Sequence, residues 1–352
     1  VDTDSLLRCI NSSGSFNCSN GFYPAISLGE DVNASSLVIG NFDRSEGSPP
    51  LGAFVASIPA EGQNGIHLVR NIASSASPEA FFTLDEKPAL MIVADLQNSQ
   101  SQDLLLYNNI NGIYNNINDG KVTILLNKTG DPENLDFTNY EPLDPSQFFI
   151  DVPNTINLGD TNGDGKVDLV ATIVNTKSLI EIAPFTNVLT SGNVFGNFLS
   201  FSQIPVDATL GYLEPADLNP IIVITHKNSG NITLLDQDPI TGALRNLKTL
   251  TLPSGTHNPV ATAIADINQD QKNDLLILDQ SYLYIFLSRG GGNFETSPLS
   301  YSISSPTSMV VTDLNHDGAL DIAITTTGAN DNLNIWLGST NNDTTFPTKN
   351  TM

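Results

Sequence analysis

The chain has 352 residues, 39% of them hydrophobic and 15% charged, with 14 Lys plus Arg against 38 Asp plus Glu and a net charge of −24. That length and apolar content allow one large all-β domain or two ordinary ones and exclude a disordered chain. The acidic balance repels phosphate backbones and anionic lipid, which excludes nucleic acid and membrane surfaces as natural partners, and no run of 18 apolar residues offers a membrane-inserting segment.

In chain order, the first 21 residues read as an appendage rich in Ser and Asn. Cys9 and Cys18 flank the stretch INSSGSFN and are the only cysteines. A short-loop disulfide is the favoured reading, with two free thiols as the alternative, and it agrees with an extracellular setting, secreted or on a cell surface. The first residues carry no signal-peptide pattern, and the chain is read as a mature or trimmed product. Asn-X-Ser/Thr triplets at Asn11, Asn17, Asn33, Asn127, Asn231 and Asn342 are no more frequent than so much Asn, Ser and Thr gives by chance.

From Gly40 onward a repeat organises the sequence. A small residue opens each copy at 40, 94, 159, 211, 265 and 312, an average spacing of about 54 residues. An alternating apolar segment precedes each opening, as in SSLVIG and ALMIVA, and a second apolar run follows in five of the six, as in DLLLY, DLVATI, IIVITH, DLLILD and DIAITT. A third run comes after a short polar turn (VTILLN, LIEIA, NITLLD, LYIFLS, LNIWLG), and Phe81, Phe148, Phe198, Phe294 and Phe346 mark a fourth. Alternation over four to eight residues between Gly, Asn, Asp and Pro turns predicts antiparallel strands. Four strands repeated about six times predict an all-β propeller, of six blades, with a seventh eroded blade in 1–36 as the alternative. Residues 22–352 are expected to form one propeller domain. Its last blade is expected to be completed by the N-terminal segment GFYPAISL, so that N- and C-terminal strands pair and close the ring.

The openings themselves carry chemistry. GDTNGDGKVDLV, from Gly159, sets oxygen donors at positions 1, 3, 5 and 9 of a tight turn: Asp160, Asn162, Asp164 and Asp168, with the Lys166 carbonyl. ADINQDQKNDLL repeats them as Asp266, Asn268, Asp270 and Asp274, with the Lys272 carbonyl. TDLNHDGALDIA repeats them as Asp313, Asn315, Asp317 and Asp321, with the Ala319 carbonyl. Calcium takes six to eight hard oxygens, and three carboxylates this close repel one another unless a cation lies among them. About three calcium sites are expected. Gly165 suits the bend, whereas Gln271 at the same position predicts a strained turn. The copy from Ala94 keeps only Asp95 and Asp103 of the terminal pair, with Gln97 and Ser99 between, and is read as an empty loop. The copy from Gly211, with Tyr212 and Pro220 at the end positions, is read as metal-free.

The pattern D-x-N-x-D-G-x-x-D-[LI] within strand–loop–strand repeats resembles the FG-GAP/VCBS repeats of the integrin α-subunit propeller. The resemblance spans residues 22 to 346. It implies calcium loops between the first two strands of a blade that stiffen one face, with ligands met mainly on the other. The chain departs from integrins in showing six clear repeats rather than seven, and in lacking FG-GAP text in its third strands.

No catalytic constellation assembles. His67, His226, His257 and His316 are scattered, no nucleophile elbow is present, and the carboxylates are mostly committed to calcium. A non-catalytic adhesion or binding module for a protein or cell-surface ligand is therefore the expectation, with a carbohydrate-binding lectin as runner-up and a polysaccharide-processing enzyme behind it. Candidate contacts are Tyr107, Asn111, Tyr114 and Asn116 in the Asn-rich loop YNNINGIYNNINDG, and His226, read with His257 as a solvated turn residue. Trp336, the only tryptophan, alternates with Ile335 and Leu337 and is read as core.

Overall fold

In the computed structural model the chain is an all-β propeller of four-stranded antiparallel sheets. The structure describes only strand residues up to residue 84. It then describes residues 88, 90–96, 102–107, 122–127, 137–139, 153–173, 176–182, 196–217, 219–238, 241, 243–253, 255, 257–315, 317–327, 332–338 and 349–351. Among these there is no helix, and so none long and apolar enough to cross a membrane.

Six four-stranded sheets follow one another along the chain, each in sequential strand order except for a hairpin in the fifth. Their first strands are Asn33–Gly40, Leu90–Ala94, Pro153–Gly159, Pro205–Gly211, Pro259–Ala265 and Pro306–Thr312. Each of these ends on the small residue that opens a repeat copy. The small residue is needed there because adjacent sheets converge: a Cβ on Gly159 would lie 2.9 Å from Leu210 Cδ1, and one on Gly211 2.9 Å from Ile264 Cδ1.

Second strands are buried from end to end, as in Asp103–Tyr107, Asp168–Ile173, Ile221–His226 and Asp274–Asp279. Neighbouring sheets cover both faces of the fourth and fifth sheets, and second strands such as these are continuous apolar runs instead of alternating ones. The fourth strand Leu244–Thr251, at the outer edge, is mostly exposed and buries only Leu244 and Leu250.

The described residues divide into two compact units. One comprises 1–10, 17–153 and 184–194 and holds the first two sheets, with Ile66, Leu68, Met91, Leu104, Leu106 and Leu125 packed between them. The other comprises 11–16, 154–183 and 195–352 and holds the third to sixth sheets. Its apolar layers run from Val170, Leu179 and Ile224 through Val223, Leu234, Ile277 and Phe286 to Leu278, Ile322 and Trp336. At about 25 cal/mol per Å² of apolar surface, such layers are the main source of stability. Polar ties join neighbouring sheets in this unit: Asn157 Nδ2 donates to Ala208 O at 2.5 Å, and Gln237 Nε2 to Glu181 Oε1 at 2.8 Å.

The ends of the chain differ from expectation. Tyr23–Ser27, within GFYPAISL, pairs with Ser5–Arg8, and the sixth sheet takes Lys349–Thr351 as its fourth strand. A strand a few residues downstream closes a far shorter loop than one more than 300 residues away, and loop entropy favours it. The described residues of 1–32 form two two-stranded ladders, not a four-stranded sheet. The phenylalanine markers succeed only in part. Phe81 and Phe198 lie on fourth strands, but Phe294 belongs to a side hairpin, Ser288–Gly290 with Asn293–Phe294, and the fourth strand there is Leu299–Ser302. The second sheet ends on Phe137–Asn139, while Phe148 and Phe346 lie outside the described residues, as do Cys9 and Cys18.

Candidate functional site

Each of the three complete loops joins a first strand to a second, and all three fold through one hydrogen-bond mesh. Position 1 is the hub. Asp160 Oδ1 accepts N–H of Gly163 at 2.7 Å and of Asp164 at 3.1 Å, and its Oδ2 accepts N–H of Gly165 at 2.8 Å. Asn162 Oδ1 accepts Asp164 N–H at 2.8 Å, and Asp164 Oδ1 accepts Lys166 N–H at 2.9 Å. These are Asx turns nested inside one another, the local geometry that Asp and Asn favour.

The second loop repeats the bonds through Asp266, Asn268 and Asp270, which take N–H groups of Asp270, Gln271 and Lys272. The third repeats them through Asp313, Asn315 and Asp317. Position 6 is left-handed in all three, at φ 78° for Gly165, 67° for Gln271 and 90° for Gly318. Gln271 is thus a side-chain-bearing residue held where glycine is favoured, as its sequence position predicted. In that loop Lys272 Nζ also binds Asp270 Oδ2 at 3.2 Å. The second loop reaches the third, since Gln269 Nε2 donates to Gly318 O at 2.8 Å.

Position 9 behaves differently from positions 1, 3 and 5. Asp168, Asp274 and Asp321 are fully buried and point to the base of the loop. Their Oδ2 atoms accept the position-2 N–H: Thr161 at 2.8 Å, Ile267 at 3.3 Å and Leu314 at 2.8 Å. The depleted second copy keeps this bond, from Leu96 N–H to Asp103 Oδ2 at 2.9 Å. In the Gly211 copy the same N–H, on Leu213, is taken by Asp217 Oδ2 at 3.2 Å.

The second oxygen, Oδ1, accepts Ser288 N–H at 2.7 Å in Asp274 and Gly338 N–H at 2.7 Å in Asp321. In Asp168 it is buried with no partner. Ser288 and Gly338 each stand two residues beyond the end of a third strand, and the residue so placed in the sequence after Ile182 is Pro184, which has no N–H to offer. Burial pushes the Asp168 carboxyl up to about 6, against the lowering effect of the Thr161 hydrogen bonds, and that of Asp274 up to about 7. Burial also raises Asp321.

Among the described residues no three acidic, His or Cys side chains stand close enough to hold a metal by themselves. What each loop brings is two carboxylates that are half-buried or exposed, one amide, the position-7 carbonyl and a buried carboxylate beneath.

Of the proposed contact residues, the two that are described are both buried. Tyr107 is 1% exposed, at the buried end of its strand, and His226 is 2% exposed, with Nε2 2.9 Å from Thr233 Oγ1 and its ring 5.2 Å from Phe201. Both end second strands, whose faces are covered throughout, so the turn lies beyond them. Burial lowers the His226 pKa. Asn111, Tyr114, Asn116 and His316 lie outside the described residues. His257 is buried as well, with Nε2 2.7 Å from Pro253 O and Nδ1 2.8 Å from Asp279 Oδ2, joining the fourth sheet to the fifth. Asp279 Oδ1 accepts N–H of Asn258 and Gln280. Nothing in the spacing of these residues announces the clasp, because its partners come from different repeats. Trp336 is 5% exposed in the layer between the fifth and sixth sheets, as its alternation predicted.

Residues 266–324, which span the second and third complete loops, match the family model described as FG-GAP-like repeat. The chain is thus a β-propeller carrying an FG-GAP-like repeat. No curated protein matches it. Among solved structures, a protein from Lactobacillus plantarum is similar with a TM-score of 0.61 at 12% identity, covering 98% of this chain and 95% of that one. A lectin of Agrocybe aegerita that recognises non-reducing terminal N-acetylglucosamine is similar with a TM-score of 0.56 at 13% identity, covering 90% and 79%. BBS1N, in complex with ARL6DN, is similar with a TM-score of 0.54 at 12% identity, covering 84% and 77%. At these identities the likeness is one of fold.

Proposed function

We propose that the chain is a calcium-stabilised, non-catalytic binding module, an extracellular integrin-α-like propeller whose six sheets serve as blades and which recognises a protein or a cell-surface glycan. The observation that carries the reading is the shared mesh of position-1, position-3 and position-5 bonds in three loops, which presents the same oxygen-only donors each time. The orphaned Oδ1 of Asp168 fits the same chemistry, since a buried carboxylate oxygen without a donor favours a nearby cation. Asp160, Asn162, Asp164 and the Lys166 carbonyl would hold the ion in the first loop, with their counterparts in the other two. Calcium would supply positive charge that offsets the mutual repulsion of these carboxylates and neutralises part of the −24 net charge.

Protein or glycan recognition draws support from the fold. One similar propeller is seen in complex with a protein and another recognises a sugar. The deciding measurement is thermal unfolding of calcium-loaded chain with and without excess EGTA. Metal that binds only the folded state stabilises by mass action, so the melting temperature is expected to fall on chelation. An unchanged melt overturns the calcium reading. Capture of a cell-surface protein or glycan that is lost on chelation supports the binding role.

A further inference from the structure

The fourth sheet, whose loop has no cation donors at its end positions, carries a cavity where the third, fifth and sixth sheets carry a complete aspartate loop. The side hairpin Ser288–Phe294 of the fifth sheet lies across this loop. Gly290, Gly291 and Gly292 are all left-handed, at φ 83°, 60° and 73°. The backbone can therefore turn close against its neighbour, where Gly291 N–H donates to Glu214 Oε1. Beneath the hairpin is an open cavity of about 390 Å³. Its apolar part is Leu213, Ile221 and Leu247, the last 43% exposed. Its polar part includes Glu214, Asp217, Asn219, Asp236, Gln237 and Arg245.

The lining chemistry narrows the ligand. Three carboxylates against one guanidinium disfavour phosphate, sulfate and carboxylate ligands. A bare cation is disfavoured too, because the Arg245 guanidinium already sets a positive charge against Asp236 and Asp238. Glu214 takes Gly291 N–H, Asp217 takes Leu213 and Glu214 N–H, and Arg245 grips Asp236 through Nε at 2.8 Å and Nη2 at 2.9 Å. No three acidic groups here stand close enough to hold a metal.

Carboxylates keep further lone pairs beyond these bonds, and Arg245 and the two amides add donors. Acceptors and donors intermixed beside an apolar patch suit a ligand that has hydroxyls on its edges and C–H groups on its face. We infer that this cavity, on the end of the sheet where three other copies carry complete aspartate loops, is a binding site for a neutral saccharide unit. The inference rests on the reading of the chain as a binding module and moves the ligand from the opposite face to the loop face. The cavity lies at the small end of the range for ligand sites, about 300–1,000 Å³, which suits one or two sugar rings. No aromatic side chain lines it for stacking, so millimolar affinity is expected.

The test is saturation-transfer NMR on the whole chain with glucose, galactose, mannose and N-acetylglucosamine, each offered separately, and with lysine methyl ester as a cationic probe. At least one sugar is expected to receive saturation. Its affinity should fall about fivefold or more in Arg245→Ala and in Asn219→Ala, the loss of about one hydrogen bond to the ligand. Arg245 is half exposed, so that variant keeps the fold, which an unchanged calcium-loaded melt verifies. No transfer to any of the four sugars, undiminished transfer in both variants, or transfer to lysine methyl ester alone each overturns the proposal. The calcium response of the melt is independent of all three results, so failure of the sugar site is distinguishable from failure of the module reading.

Discussion

At the scale of single residues, the nine-residue loop contains two kinds of aspartate. Asp160 and Asp164 accept loop N–H groups at the exposed surface, while Asp168 lies buried and holds Thr161 by both its N–H and its hydroxyl, at 2.8 and 2.6 Å. Asp164→Ala is expected to remove part of the calcium-dependent stability and leave the EGTA-treated chain almost unchanged. Asp168→Ala is expected to destabilise the chain by about 1–3 kcal/mol with or without calcium, because it orphans buried donors. Denaturant titration of both variants in calcium and in EGTA separates the two behaviours; equal losses under chelation would sink the distinction.

The sequence spacing made every one of these positions visible as an oxygen donor. It could not show which are buried, because burial depends on the neighbouring sheet. The same blindness placed His226 in solvent. Its pKa is lowered by burial, so its contribution to stability is present above the unfolded value near 6.5 and is lost as pH falls below it. Asp168, Asp274 and Asp321, with raised values, act in the opposite sense. The comparison between chains is therefore what reads this histidine. Between pH 7 and pH 5 the His226→Gln variant is expected to lose less stability, or gain more, than the parent, as followed by chemical denaturation.

Among elements, the six strand–loop–strand units were legible almost to the residue, since each opening residue ends a first strand. Fourth strands were not. They lie at the outer edge, where one face meets solvent and composition is free, and the phenylalanine marker fails at Phe294 because a hairpin has been inserted before the edge strand. The loops show why repeats can diverge without unfolding. Gln271 holds φ 67° with its N–H still on Asp266 Oδ2 at 2.8 Å. Replacement by glycine keeps that bond and removes a left-handed side-chain penalty of about 1–2 kcal/mol, part of which glycine's unfolded-state entropy offsets. Gln271→Gly is expected to raise stability by about 0.5–1 kcal/mol and to tighten calcium binding at that loop, measured by melting and by calorimetric titration. A loss of both would show that the glutamine side chain, not the turn, matters.

For the whole molecule, the complete aspartate loops are unevenly placed. All three complete copies, at 160–168, 266–274 and 313–321, lie in the second compact unit, and the first holds only the incomplete copies that open at Gly40 and Ala94. Chelation is therefore expected to loosen one part of the chain and spare the other. Limited proteolysis in EGTA should cut first within 159–321, and calcium should protect those cuts selectively. Uniform cleavage along the chain would contradict a local role for the ion. This asymmetry could be anticipated from the motif positions. The division into units could not, because it depends on which sheets pack together.

The substitution of Asp217 for the missing position-9 aspartate has a wider consequence. The fourth sheet keeps its strand-to-strand turn by a single borrowed carboxylate, with Leu213 and Glu214 N–H groups both held at 3.2 and 2.8 Å. A repeat built this way is released from the need to keep the aspartate pattern. Its side chains at positions 1, 3 and 5, here Tyr212, Glu214 and Ala216, are free to vary while the scaffold stands still. In such a propeller the worn copy, not the intact ones, is where new chemistry has room to begin.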